Sequence, residues 1–193
     1  MIKMSDSLRN KVVVITGASS GIGRSIALES ASRGATVVLL ARRLDKLEEI
    51  AAEARELSAS AAFAVKADLG LASDIEAAFA EVKEKVKRID YLVNAAGFGK
   101  FEEFMEADMQ DATEMFQVDV LGLMYMTRLF GRLMLDQGSG QIINFGSMAG
   151  KVPTTKSAAY SAAKAAVIQF SNVLRLELKP FGVKVMTVNP GPV

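Results

Sequence analysis

The stretch KVVVITGASSGIGRSIA, Lys11 to Ala27, decides how the rest of the chain is read. Val12, Val13, Val14 and Ile15 form a short β-branched run, which predicts a strand buried on both faces. Thr16 and Gly17 end that run. Gly21 and Gly23 then open a helical pattern in which Ile22, Ile26 and Ser30 share one face. Strand, glycine turn and helix form the layout that binds a dinucleotide. Glycines let backbone N–H groups approach a pyrophosphate, and the helix N-terminus adds partial positive charge. The spacing is G-x-x-x-G-x-G rather than the G-x-G-x-x-G of the general fingerprint. A turn that only closes tightly is the plain alternative; its place directly after the first strand favours binding.

Outward from that stretch, short apolar runs alternate with longer periodic ones, the pattern of a parallel sheet covered by helices on both faces. Strands are expected at Val12–Thr16, Thr36–Leu40, Ala62–Lys66, Tyr91–Asn94, Gln141–Phe145 and Lys184–Val188. Helices are expected at Gly21–Arg33, Leu44–Leu57, Ser73–Val86, Met109–Leu135 and Ser157–Lys179. Gly34 suits the position just past a helix end, Ser73 or Asp74 a helix start, and Asp108 an N-cap. No repeat or linker shows, so residues 1–193 are expected to form one Rossmann-like, doubly wound α/β domain. Its ligand crevice should lie at the carboxyl ends of the strands.

Composition narrows the chemistry. Half of the residues are hydrophobic and the formal net charge is +1, which leaves no electrostatic footprint for nucleic acid or an anionic membrane. The chain has no cysteine and no histidine, which removes thiol nucleophiles, the Ser-His-Asp triad and the commonest metal ligands. No metal site is expected, and proton chemistry falls to Tyr, Lys, Asp or Glu. The opening MIKMSDSLRNK lacks the apolar core of a signal peptide, and Val118 to Leu135 carries Asp119, Arg128 and Arg132. A soluble cytoplasmic protein is the simplest expectation.

The second expected strand runs into LLARR. About 20 residues past the glycines, an acidic side chain would hold a ribose 2′-hydroxyl. This chain has Ala41, then Arg42 and Arg43. A guanidinium fork suits a 2′-phosphate, so NADP(H) is favoured over NAD(H), with Arg42 the better candidate. The alternative makes both arginines solvated first-turn residues of the next helix.

TGASSGIG (Thr16–Gly23), NAAG (Asn94–Gly97), Ser147, YSAAK (Tyr160–Lys164) and NPGPV (Asn189–Val193) fall in one order along the chain. In that order and spacing the sequence resembles the short-chain dehydrogenases/reductases over nearly its whole length. The resemblance implies cofactor contacts at Gly17, Ser19, Ser20, Gly21, Ile22 and Gly23, with Asp68 and the Leu69 N–H flanking the adenine. Asp68 alternatively just starts a turn. The resemblance also implies contacts from Asn94, Ala95 and Gly97 beneath the ribose, although Ala95 stands where the family usually has a second Asn. Pro190, Gly191 and Val193 would line the nicotinamide; the lid and final strand that follow in the family lie outside these 193 residues. A homodimer or homotetramer built on the two long helices is implied as well. Phe98, Phe101 and Phe104 are candidates to wall a substrate pocket, with ordinary core packing expected for at least two.

The proposed chemistry centres on Ser147, Tyr160 and Lys164. On a helix, Tyr160 and Lys164 are four apart and share a face. A phenol ionises only near pH ~10 in water, and a neighbouring ammonium favours its phenolate. A serine hydroxyl beside it can hydrogen-bond the substrate oxygen where charge develops. The resemblance then implies hydride transfer between nicotinamide and a ketone or secondary alcohol of small or medium size, a β-ketoacyl thioester included. Tyr160 would exchange the proton and Lys164 would also hold the nicotinamide ribose. The main departure is Asp119, in Val118-Asp119-Val120-Leu121-Gly122, at the family's catalytic asparagine. There the family distorts the helix and uses a backbone carbonyl. The carboxylate either pairs with Lys164 and blunts its effect, or faces solvent or a local donor. Asp119 thus motivates a second reading, an NADP(H)-binding sensor or scaffold without turnover. The extended, epimerase-like relatives are disfavoured by the glycine spacing and short chain.

Overall fold

A computed structural model describes residues 7–57 and 61–191. Its strands are β1 (Val12–Thr16), β2 (Thr36–Ala41), β3 (Ala62–Lys66), β4 (Tyr91–Asn94), β5 (Gly140–Phe145) and β6 (Val183–Val188). They form a six-stranded sheet in the order β3-β2-β1-β4-β5-β6, with every neighbouring pair parallel. The helices are α1 (Gly21–Ser32), α2 (Leu44–Leu57), α3 (Ala72–Lys85), α4 (Met109–Phe116), α5 (Leu123–Gln137) and α6 (Ala158–Leu178). This is the Rossmann-like arrangement that the alternation of apolar runs predicts.

The period of two along a strand sorts the helices to the two faces. Val12 and Val14 join Ile75, Ala78 and Val82 of α3 and Met126, Phe130 and Met134 of α5. Val13 and Ile15 join Ala27 and Ala31 of α1 and Leu47, Ile50 and Ala54 of α2. All five residues of β1 are buried, as a central parallel strand covered on both sides requires. Each fully buried aliphatic side chain contributes ~1.5–3 kcal/mol against the entropy of ordering the chain.

Strand order reverses between β1 and β4, so the loops after these two strands meet at the carboxyl edge. They touch there: the Ala96 N–H donates to Thr16 Oγ1 at 3.1 Å. α1 stops where expected. Gly34, at φ +87°, turns the chain, while Gly34 N–H reaches the Ala31 carbonyl and Ala35 N–H that of Ser30. Asp108 caps α4 by accepting from the Gln110 N–H.

Two expectations are corrected. The helix expected over Met109–Leu135 is interrupted by a wide π-helical turn, Gln117–Gly122, before α5 continues to Gln137. Packing imposes the break: a Cβ on Gly122 would collide with the Leu69 carbonyl, and the turn directs Asp119 inward. α3 starts at Ala72 rather than after a Ser73 or Asp74 cap, and the Asp74 carboxylate accepts instead from the Asp68 N–H at 3.2 Å. Other ends differ from expectation by one or two residues. Among the described residues no helix is long and apolar enough to cross a membrane.

Candidate active site

The glycine turn is a backbone cradle. Gly17 sits at φ +67°, and a Cβ there would lie 2.7 Å from the Ala96 Cα. A Cβ on Gly23 would collide with the Gly17 carbonyl, so the first turn of α1 can press against the end of β1 only without side chains. Gly21, at φ +54°, has nothing within 4 Å of its would-be Cβ and faces open space. Ser20 is the extended N-cap of α1 and makes no side-chain cap bond, which leaves first-turn N–H groups for an anion. Gly17, Ser19, Ser20, Gly21, Ile22 and Gly23 line one crevice with Arg42, Arg43, Asp68, Leu69, Ala95 and Gly97. A bare crevice floored by glycine, with uncapped helix N–H groups at one end and guanidiniums at the other, fits a dinucleotide.

Both arginines precede α2 rather than lying in its first turn. Arg43 turns back over the glycine loop and donates from Nη2 to Ser19 Oγ at 3.0 Å. Arg42 lines the same crevice and is exposed. Asp68 meets both readings: it lines the crevice, and its Oδ1 accepts from the Gly70 N–H at 2.9 Å to hold the turn.

Asn94 is a correction. It borders neither this crevice nor the adjoining cleft; it is buried, donating to Thr127 Oγ1 at 3.0 Å and to Asn144 Oδ1 at 2.9 Å. Asn144 in turn donates to Ser171, so the side chain ties β4 to α5, β5 and α6. The reason is strand parity, since Asn94 lies on the same side of β4 as Leu92, which packs towards α5.

Beyond Gly97 the crevice opens into a second cleft of about 770 Å³. Ser147, Tyr160 and Lys164 all line it, together with Ile22, Gly97, Pro190 and Gly191. Val193 lies outside the described residues. β5 delivers Ser147 just past its carboxyl end, where the hydroxyl accepts from the Ala149 N–H at 3.1 Å and keeps its own proton to donate. α6 brings Tyr160 and Lys164 to the same side, with the ammonium 5.7 Å from the phenol ring centroid. Lys164 is buried and donates to the Phe145 carbonyl at 3.2 Å.

Asp119 is fully buried against Lys164, with Oδ2 3.0 Å from Nζ, and the solvent-facing alternative is overturned. The contact is an ion pair rather than an aligned hydrogen bond, since Oδ2 accepts none. Oδ1 accepts from the Phe98 N–H at 3.0 Å. Burial pushes the carboxyl above its usual range, opposed by the Lys164 ammonium and the Phe98 N–H.

The expectation of core packing for the phenylalanines fails. Phe98, Phe101 and Phe104 are all exposed, and Phe98 and Phe101 wall the cleft. Phe101 tilts against Tyr160 with ring centroids 5.3 Å apart. Met148, Val152 and Thr154 complete the wall and were not anticipated; a loop residue lining a pocket leaves no periodic signal. The Phe98 N–H and the Phe145 carbonyl were also missed, because backbone groups carry no side-chain signature.

Known proteins share this fold. The family model for short chain dehydrogenase matches residues 11–193. The 11-beta-hydroxysteroid dehydrogenase A of Sesamum indicum is 39% identical over 188 residues, which are 97% of this chain but 53% of that protein. The chain therefore spans about half the length of that relative. An L-sorbose reductase from Gluconobacter frateurii, solved with NADPH and L-sorbose, superposes with a TM-score of 0.91 at 33% identity over 98% of this chain and 72% of that one. An NAD+-bound xylitol dehydrogenase gives 0.92 at 29% identity over 96% and 71%. With the family model spanning every element from β1 to β6, the chain belongs to the short-chain dehydrogenase/reductase family of oxidoreductases.

Proposed function

We propose that residues 1–193 act as a single NAD(P)-binding domain of an NADP(H)-dependent oxidoreductase, interconverting a ketone and a secondary alcohol. The observation that carries this reading is one cleft lined by Ser147, Tyr160 and Lys164 and continuous, through Gly97, with the glycine crevice. A bound nicotinamide supplies or accepts the hydride. Ser147 donates its hydroxyl proton as a hydrogen bond to the substrate oxygen, and Tyr160 gives that oxygen a proton in reduction or removes one in oxidation. Lys164 offers its remaining N–H groups to the nicotinamide ribose. Arg42, with Arg43 held over Ser19, supports NADP(H) over NAD(H) through the 2′-phosphate.

The substrate is an uncharged, largely apolar carbonyl compound. Phe98, Phe101, Met148 and Val152 surround the reacting groups, and Lys164 is the one charged side chain among the described lining residues. A panel of apolar ketones, sugars and carboxylated ketones with NADPH or NADH tests this by loss of reduced-cofactor absorbance. Turnover is expected with NADPH on the apolar ketones. The buried charge partner of Lys164 supports the second reading, a non-catalytic NADP(H) sensor or scaffold, and tight NADPH binding without oxidation across the panel would select it. Assembly as a homodimer or homotetramer is part of the proposal, and sedimentation as a strict monomer would remove it.

A further inference from the structure

We infer that Asp119 is a positioning residue that holds Lys164 and offsets its charge at Tyr160, so that the cleft is set with a neutral ion pair rather than a free cation. The inference deepens the oxidoreductase reading and rests on it. The pair is enclosed: Lys164 and Asp119 are both buried, 3.0 Å apart, where charges act on one another with little screening by water. The carboxylate is fixed from its other side by the Phe98 N–H, and Lys164 by the Phe145 carbonyl, so neither can swing away alone. Its place beneath the loop after β4 is as tight, since a Cβ on Gly97 would lie 2.8 Å from Oδ2. Asp119 lies within the π-helical turn Gln117–Gly122 and is fully buried there.

Among the described residues, the ionisable groups recorded together here are Asp119 from the π-helical turn and Tyr160 and Lys164 from α6. β5 contributes only the Phe145 carbonyl, and the loop after β4 only the Phe98 N–H. A negative charge beside Lys164 opposes formation of a second negative charge on the phenol. Replacing the carboxylate by a neutral group therefore favours the phenolate, and the alkaline midpoint of alcohol oxidation moves to lower pH.

The test uses Asp119→Asn, which keeps an oxygen for the Phe98 N–H, and Asp119→Ser, which puts no amide N–H against the ammonium. Two readouts are taken: the pH profile of kcat/KM for alcohol oxidation, and the near-ultraviolet phenolate absorbance of the protein without cofactor. The chain has three tyrosines, so subtracting the matching Tyr160→Phe double variant isolates Tyr160. A downward move of about one pH unit or more in both readouts is expected. Midpoints that stay within about 0.3 unit while overall activity falls would mark a structural role and overturn the inference. Failure of both variants to fold would assign Asp119 to the scaffold and overturn it too. Collapse of the broader reading would look different: Tyr160→Phe itself would retain turnover.

Discussion

The two ends of the ligand channel are built from different materials. The crevice between Gly17 and Asp68 is made of backbone: positive-φ glycines, an uncapped helix start and closely apposed loops. The cleft around Tyr160 is made of side chains from three separate elements, held by a buried ion pair. Backbone cradles come from contiguous residues and change little when one polar side chain is altered. Side-chain constellations come from distant segments, and a single substitution can remove a function while leaving the fold intact.

That contrast is broken or sharpened by substitutions on each side. Tyr160→Phe is expected to lower kcat by about 10³-fold, with NADPH affinity within about threefold of the unaltered protein by fluorescence titration. Substantial residual turnover would dissolve the distinction. Gly17→Ala should act on the fold itself, destabilising the protein by about 3 kcal/mol in urea melts, because its φ of +67° and the 2.7 Å approach to Ala96 leave no room for a methyl group. Arg42→Ala should raise the KM for NADPH about tenfold and leave that for NADH within about twofold, since one charge-assisted contact is lost. Equal effects on both cofactors would return the arginines to a solvated role.

The smallest effect lies at the opposite edge of the sheet. Burial alone would raise the Asp90 carboxyl, but the Val12 N–H, Arg88 and Lys11 together outweigh it and hold it below the usual range. A depressed folded-state value makes its stabilisation fully present above about pH 4 and lost as the pH falls through that value. Asp90→Asn should therefore lower stability by about 1 kcal/mol at neutral pH and flatten its decline in acid, leaving cofactor affinity and kcat unchanged.

The same contrast explains what could be read from the sequence. β1 and the glycine turn were legible because five consecutive β-branched residues, Val12 to Thr16, and three glycines lie within twelve consecutive positions, 12–23. The order of strands followed from alternation of apolar runs. The wide turn at Gln117–Gly122 was not legible in the helical period, because Val118 to Met126 is apolar at nearly every position and masks a change of phase. Only the family resemblance pointed to a distorted helix there. Asn94 was misplaced although its parity with Leu92 already set its direction. Phe98 and Phe101 do wall the cleft, as one of the two readings had it. The competing expectation of core packing failed for a general reason: burial is the default for aromatic rings, and a ligand-facing wall breaks it. The Asp119–Lys164 pair depends on a contact 45 residues apart in sequence, which no local pattern encodes.

The π-helical turn also fixes an angular phase. An α-helix advances about 100° per residue, so deleting any one position between Gln117 and Gly122 and rewinding the segment would rotate α4 relative to α5 by roughly that angle. The Asp119 carboxylate would swing off the Lys164 ammonium, and α4 would lose its seat against α6. The length of this six-residue segment is consequently more constrained than its composition, and evolutionary change there is expected as substitution rather than insertion or deletion.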